Sequence, residues 1–265
     1  QDWQLGQRQG LYRLQTDVWK LAPLTQMPSS TEPALLFLHG TISSTEGSFR
    51  ALWGGDSEVD ARAQLAQAYG DRIYGFEHRS LTDSPIANVL ALVKSLPLGA
   101  RLHVVSHSRG GMLGELLARA NRIDNDPFTE ADIQRFLAHA QNTQRKGFDQ
   151  QAQDLRALNQ AMKERAIQVE RFVRVAATAR GTTLASGRLD RWASVMLNLP
   201  GLAMAQVPGM QGVAEGYRQV KNFLLAVVKE RTDARVLPGL EAMMPDSPMV
   251  GLLNAPDVRV EYPLH

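Results

Sequence analysis

The stretch Leu102-His103-Val104-Val105-Ser106-His107-Ser108-Arg109-Gly110-Gly111-Met112-Leu113 decides how this chain is read. A strand predicted over Arg101 to Val105 runs into a serine flanked by small residues, then into a helix predicted over Gly111 to Asn121. Ser106 and Gly110 stand two before and two after Ser108. Small side chains at those positions let a sharp strand-to-helix turn lift one serine clear of its surroundings. A serine hydroxyl is a weak nucleophile until a base takes its proton. The turn also sets Ser108 at a helix N-terminus, where the dipole and unpaired N–H groups favour an oxyanion. The five-residue pattern recurs by chance, so its weight lies in what surrounds it.

Upstream, Ala34-Leu35-Leu36-Phe37-Leu38 is apolar on both faces, as a central parallel strand must be when helices cover both sides. It runs straight into His39-Gly40-Thr41. A helix is predicted over Ser57 to Tyr69, with Ser57 as cap, Asp60 completing a capping box and Gly70 as terminator. Arg72 to Glu77 reads as a second buried strand. The next helix has Ser84 as its cap and Pro85 at its first position. Ile86, Val89, Leu90 and Val93 form its apolar face, and Pro97 ends it. Leu11 to Leu14 and Asp17 to Leu21 predict an entry hairpin, followed by a loop from Pro23 to Glu32. This alternation of strand and helix predicts an α/β fold, with a mostly parallel sheet and helices on both faces.

Beyond Asn121 the rhythm breaks. Thr129 opens a helix with a capping box at Asp132, and Phe148 to Gln168 carries Leu155, Leu158 and Met162 at helical spacing. Strand character returns at Phe172 to Ala176. A second helical stretch holds Leu189, Trp192, Val195, Met196 and Leu199, then a bend, then Tyr217 to Lys229. Val258 to Tyr262 reads as a last strand. One domain over 1–265 is expected, with helical insertions at 122–170 and 186–232 forming a cap above the site. The second insertion is apolar and methionine-bearing, which suits an acyl chain or an apolar peptide side chain. It suits cap-to-core packing or a partner interface equally.

Composition narrows the classes. A net charge of +2, with scattered arginines, asks for neither a nucleic acid nor an anionic membrane. With no cysteine there is no disulfide, thiol catalysis or thiolate metal site. No Asp/Glu/His cluster has metal-ligand spacing, and Gly110-Gly111 lacks the lysine of a phosphate loop, so no metal or cofactor is expected. No apolar run approaches the roughly 18 residues of a membrane span. A cytoplasmic location is the expectation, although a cysteine-free chain folds equally well in the periplasm or after secretion.

From Leu35 to Leu117 the chain resembles the lipase, esterase and acyltransferase branch of the α/β-hydrolase superfamily. His39-Gly40 is similar to its oxyanion motif and His107-Ser108-Arg109-Gly110-Gly111 to its nucleophile elbow. Three pieces resemble a bacterial hydrolase domain often joined to other domains, including caspase-like CHAT peptidases. They are Phe37 to Gly47, Ser106 to Gly111, and Gly239 to Pro248. The resemblance implies Ser108 as nucleophile, with backbone N–H groups of Thr41 and Arg109 holding the oxyanion. His39, Gly40 and His107 would line the pocket. The segment Val175 to Thr183 would line it too, or serve as a simple strand-to-helix loop.

The order serine, acid, histidine leaves two histidines after Ser108. His139 lies in a polar helix and is expected to be solvated. His265 is the candidate base, although Asp257 stands close upstream for an acid and Asp246 falls in a turn by resemblance. His78 and His103 are expected in structural roles. A start at Gln1 fits a trimmed chain, with acid and histidine beyond His265 in a segment or partner chain that completes the fold. The expected substrate is an acyl ester or other apolar small molecule. A peptidase or amidase with the same machinery, and a catalytically silent binding domain of a multidomain protein, stand as alternatives.

Overall fold

Ala34–Leu38 forms a strand, β3, buried at every position. It lies inside a sheet covered on both faces, which is why its sequence is apolar without alternation. The computed structural model describes residues 9–53, 61–123, 126–143, 147–181 and 237–261. Within them the strands are β1 (Gly10–Gln15), β2 (Lys20–Leu24), β3, β4 (Ile73–Glu77), β5 (Arg101–His107) and β6 (Gln168–Val175). They line up as β2-β1-β4-β3-β5-β6. β3, β4, β5 and β6 run parallel, and β1 pairs antiparallel with both β2 and β4. The α/β class with a mostly parallel sheet is therefore observed. The entry hairpin is there as well, with its second strand starting at Lys20 after a turn in which Trp19 adopts φ +51°.

Successive residues of β3 feed opposite cores, as a period of two requires. Leu35 and Phe37 pack with Leu14, Phe49 and Ile73 on one face. Leu36 and Leu38 pack with Ile86, Val89, Val104, Leu113, Leu117, Leu155 and Leu158 on the other. The first face is covered by α1 (Thr45–Trp53) and α2 (Ala61–Tyr69). The second is covered by α3 (Pro85–Lys94), α4 (Gly110–Ala118), α5 (Glu130–Asn142) and α6 (Asp149–Arg165), with a short 3₁₀ turn at Arg119–Asn121.

Local caps set two of these helices where the sequence predicts them. Ser84 Oγ accepts the Ala87 N–H with Pro85 at the first position of α3. At α5, Thr129 and Asp132 form both halves of the capping box. The expected cap of α2 at Ser57 and Asp60 lies outside the described residues. α1 has no sequence-predicted counterpart. Its N-terminus is capped from another strand: Glu77, at the end of β4, accepts the Thr45 N–H at 2.9 Å.

The two helices expected within 122–170 are α5 and α6. α6 packs along α3, and its last carbonyl, Arg165, accepts the Gly99 N–H at the entry to β5. Residues 149–165 thus lie beside α3 and α5 in the β5–β6 connection, while α4 packs against β5 and β6 themselves. The other expected cap segment, 186–232, lies outside the described residues. Val258 to Glu261 makes one isolated bridge, Arg122 with Val260, rather than a strand. The Asn121 amide stands in its place beside β6, donating to Val169 O and accepting from Val169 N, both at 2.9 Å. The same amide donates to Glu261 O at 2.9 Å. Two short helices, α7 (Pro238–Glu241) and α8 (Pro248–Leu253), close the chain back onto this side. Among the described residues no helix is long and apolar enough to cross a membrane.

Candidate functional site

The connection from β3 leads to β4 on one side, while the connection from β5 leads to β6 on the other. The carboxyl ends of β3 and β5 therefore flank a topological switch point, the crevice where open parallel sheets bind ligands. His39-Gly40-Thr41 leaves one of these strands and Ser108 leaves the other.

Ser108 sits between β5 and α4 at φ +53° and is half-buried. A non-glycine residue in that region is strained and persists only where its surroundings fix it. Here its N–H donates to Val175 O at 2.9 Å, and its carbonyl accepts the Gly111 N–H at 2.9 Å. The small neighbours are required by contact. A β-carbon on Gly110 would lie 2.2 Å from Leu38 O and 2.7 Å from His39 O. One on Gly111 would lie 2.5 Å from Ala177 Cβ. One on Gly40 would lie 3.0 Å from His107 Nδ1 and 3.1 Å from Ser108 Cβ. The loops after β3, β5 and β6 thus meet at the serine. Two other strained residues, Ile42 at φ +50° and Ala176 at φ +49°, belong to the same loops. Ser106 is buried beneath the turn, as its small size allows.

The loop after β3 is tied by hydroxyls that the sequence reading missed. Gly40 N–H donates to Ser48 Oγ at 3.1 Å, and Ile42 N–H donates to Ser80 Oγ at 2.8 Å. Ser43 and Ser48 share a hydrogen bond of 3.0 Å. Thr41, between the two held amides, donates its hydroxyl to Met243 Sδ at 3.4 Å. Its own N–H has no acceptor among the described residues.

The Arg109 side chain ties the elbow to two other segments. It is fully buried, donating from Nη2 to Asp83 O at 2.8 Å and from Nε to Gly239 O at 3.3 Å. This guanidinium fixes the β4–α3 loop and α7 against the elbow. Gly239 is squeezed there, since a β-carbon on it would lie 2.2 Å from Ser80 O.

His39 lies under the loop, only 1% exposed, rather than lining an open pocket. Its Nε2 accepts the His78 N–H at 3.1 Å. The proton is therefore on Nδ1, which donates to Gly40 O at 2.8 Å. A neutral imidazole of this tautomer forms no ion pair with Glu77, although Oε2 approaches Nε2 to 3.6 Å. His78 stacks on His39 at 3.8 Å. Burial first, and then the charge of Arg109, push its pKa well below the usual range. Burial raises the Glu77 carboxyl, and the bonds from Thr45 oppose it. His107 is half-buried beside Gly40 and edge-on to Phe49, and burial lowers its pKa.

The other titratable candidates are engaged elsewhere. His103 bonds Tyr69 Oη at 2.7 Å. His139, half-buried on α5, has Nε2 3.0 Å from Asp246 O in an exposed contact. Asp257 pairs with Arg135. Of the Val175 to Thr183 segment, Ala177 packs on the elbow, and Gly181, at φ +74°, abuts Pro245. Thr182, Thr183 and His265 lie outside the described residues. Among the described residues, no side chain hydrogen-bonds the Ser108 hydroxyl.

A family described as a domain of unknown function (DUF7379) matches residues 7–144 and 152–263, and the chain belongs to it. No curated protein and no solved structure matches the chain.

Proposed function

We propose that this DUF7379 chain is a serine hydrolase of the α/β-hydrolase fold, acting on a carboxylic ester through an acyl-enzyme on Ser108. One observation carries the reading: Ser108 is held at φ +53° on a strand-to-helix turn at the switch point of the parallel sheet. The parallel β4-β3-β5-β6 core, with the elbow leaving β5, supports the fold assignment.

In this mechanism Ser108 Oγ attacks the ester carbonyl carbon while a histidine takes the hydroxyl proton. The backbone N–H groups of Thr41 and Arg109 hold the resulting oxyanion. Collapse of the tetrahedral species breaks the bond to the alcohol, which leaves with the proton from the histidine. Water then attacks the acyl carbon by the same route and frees Ser108. The base is a histidine outside the described residues, either His265 or one supplied beyond this chain. His39 is excluded as base because Nε2 already accepts the His78 N–H and Nδ1 holds Gly40 O.

A fluorophosphonate probe tests this directly. The intact protein is expected to be labelled and Ser108→Ala to be unlabelled. Labelled protein that cleaves peptides and not esters makes it a peptidase or amidase. Folded, intact protein that resists labelling makes it a binding domain.

A further inference from the structure

We propose that Ser48 and Ser80 are positioning residues that hold the loop after β3 so that the Thr41 N–H faces the carbonyl carried by Ser108. The inference rests on the hydrolase reading above and adds to it which side chains prepare the oxyanion donor.

Three consecutive amides make the case. Those of Gly40 and Ile42 are occupied, by Ser48 Oγ at 3.1 Å and Ser80 Oγ at 2.8 Å. The amide between them, Thr41, has no acceptor among the described residues. An unsatisfied amide is costly where water is excluded and useful where charge develops. The loop cannot rest here unaided. Ile42 is β-branched and sits at φ +50°, which disfavours such side chains most. Ser80 is buried and bonds the amide of that residue directly. Ser48 is steadied in turn by Ser43 at 3.0 Å. Across the gap, Gly40 stands against Ser108, where a β-carbon would reach 3.1 Å from Ser108 Cβ. The two hydroxyls therefore set the distance between donor and nucleophile. Neither touches the substrate.

The test uses the intact protein, with Ser48→Ala, Ser80→Ala, Ser48→Thr and the control Ser95→Ala. Ser95 loses a comparable bond, to Leu92 O at 2.6 Å, at the far end of α3. Two quantities are read: the second-order rate of fluorophosphonate labelling at Ser108, and the Thr41 amide resonance before and after phosphonylation. Ser48→Ala and Ser80→Ala are each expected to label about tenfold more slowly, because a shifted donor loses transition-state stabilisation. The Thr41 amide moves downfield on phosphonylation of the wild type and by less in these variants. Ser48→Thr, which keeps a hydroxyl, and Ser95→Ala label at the wild-type rate. Should Ser80→Ala not fold, Ser48→Ala carries the test alone. Wild-type labelling rates in folded Ser48→Ala and Ser80→Ala, with an unchanged Thr41 response, overturn the positioning role and leave the hydrolase reading standing. An unlabelled wild type removes the hydrolase reading and this inference with it.

Discussion

Ser108 carries its β-carbon in a region of backbone space that glycine enters freely. That conformation costs a non-glycine residue about 1–2 kcal/mol, partly offset by the unfolded-state entropy of glycine. Ser108→Gly is expected to be at least as stable as the wild type by thermal denaturation, with labelling abolished. A midpoint clearly below the wild type contradicts the strain. Gly110 shows the opposite case, since its missing β-carbon would press on a backbone carbonyl 2.2 Å away that cannot yield. Gly110→Ala is expected to cost about 3 kcal/mol or more in urea denaturation. Gly99→Ala, at φ +69° with open space around it, is expected to cost only about 1 kcal/mol. Ser106, Ser108 and Gly110 were legible in the sequence because the sterics of a turn are local. The guanidinium of Arg109 was not, since its acceptors lie 26 and 130 positions away. The same distance hid Ser80, whose amide partner is 38 positions upstream.

Helices announced themselves where their caps are built from their own sequence. α5 is the clearest, with Thr129 accepting the Asp132 N–H at 3.2 Å and Asp132 accepting the Thr129 N–H at 2.9 Å. Thr129→Ala is expected to lose about 1–2 kcal/mol of stability, read from the urea midpoint. α1 escaped notice because its capping carboxylate, Glu77, comes from a strand 32 positions later. The strand expected at Val258 to Tyr262 had the right composition for pairing. The Asn121 amide pairs with Val169 of β6 instead and also holds Glu261 O, and no periodicity in residues 258–261 registers that partner.

Over the whole molecule, buried neutral histidines make stability depend on acidity. His78 has a folded pKa well below the ordinary 6.5. The unfolded chain then binds more protons between those two values, so stability is full above about pH 6.5 and declines as pH falls below it, by at most about 1.4 kcal/mol per pH unit. His103 and His107 shift the same way, both chiefly through burial. Glu77 has the opposite sign, because its raised pKa makes the fold lose stability as pH climbs from 4.5 through the folded value. Urea denaturation at pH 7.5 and 5.5 is expected to show a less stable protein at the lower pH, with the gap reduced in His78→Asn. An undiminished gap in that variant assigns the effect elsewhere. The buried Arg109 has a different consequence, for the order of events during synthesis. β1 through β6 leave the ribosome long before Gly239, whose carbonyl completes the arginine's setting. A nascent chain not yet extended to Gly239 therefore lacks one support of the turn bearing Ser108, so a contact from 130 positions downstream completes the elbow late in synthesis.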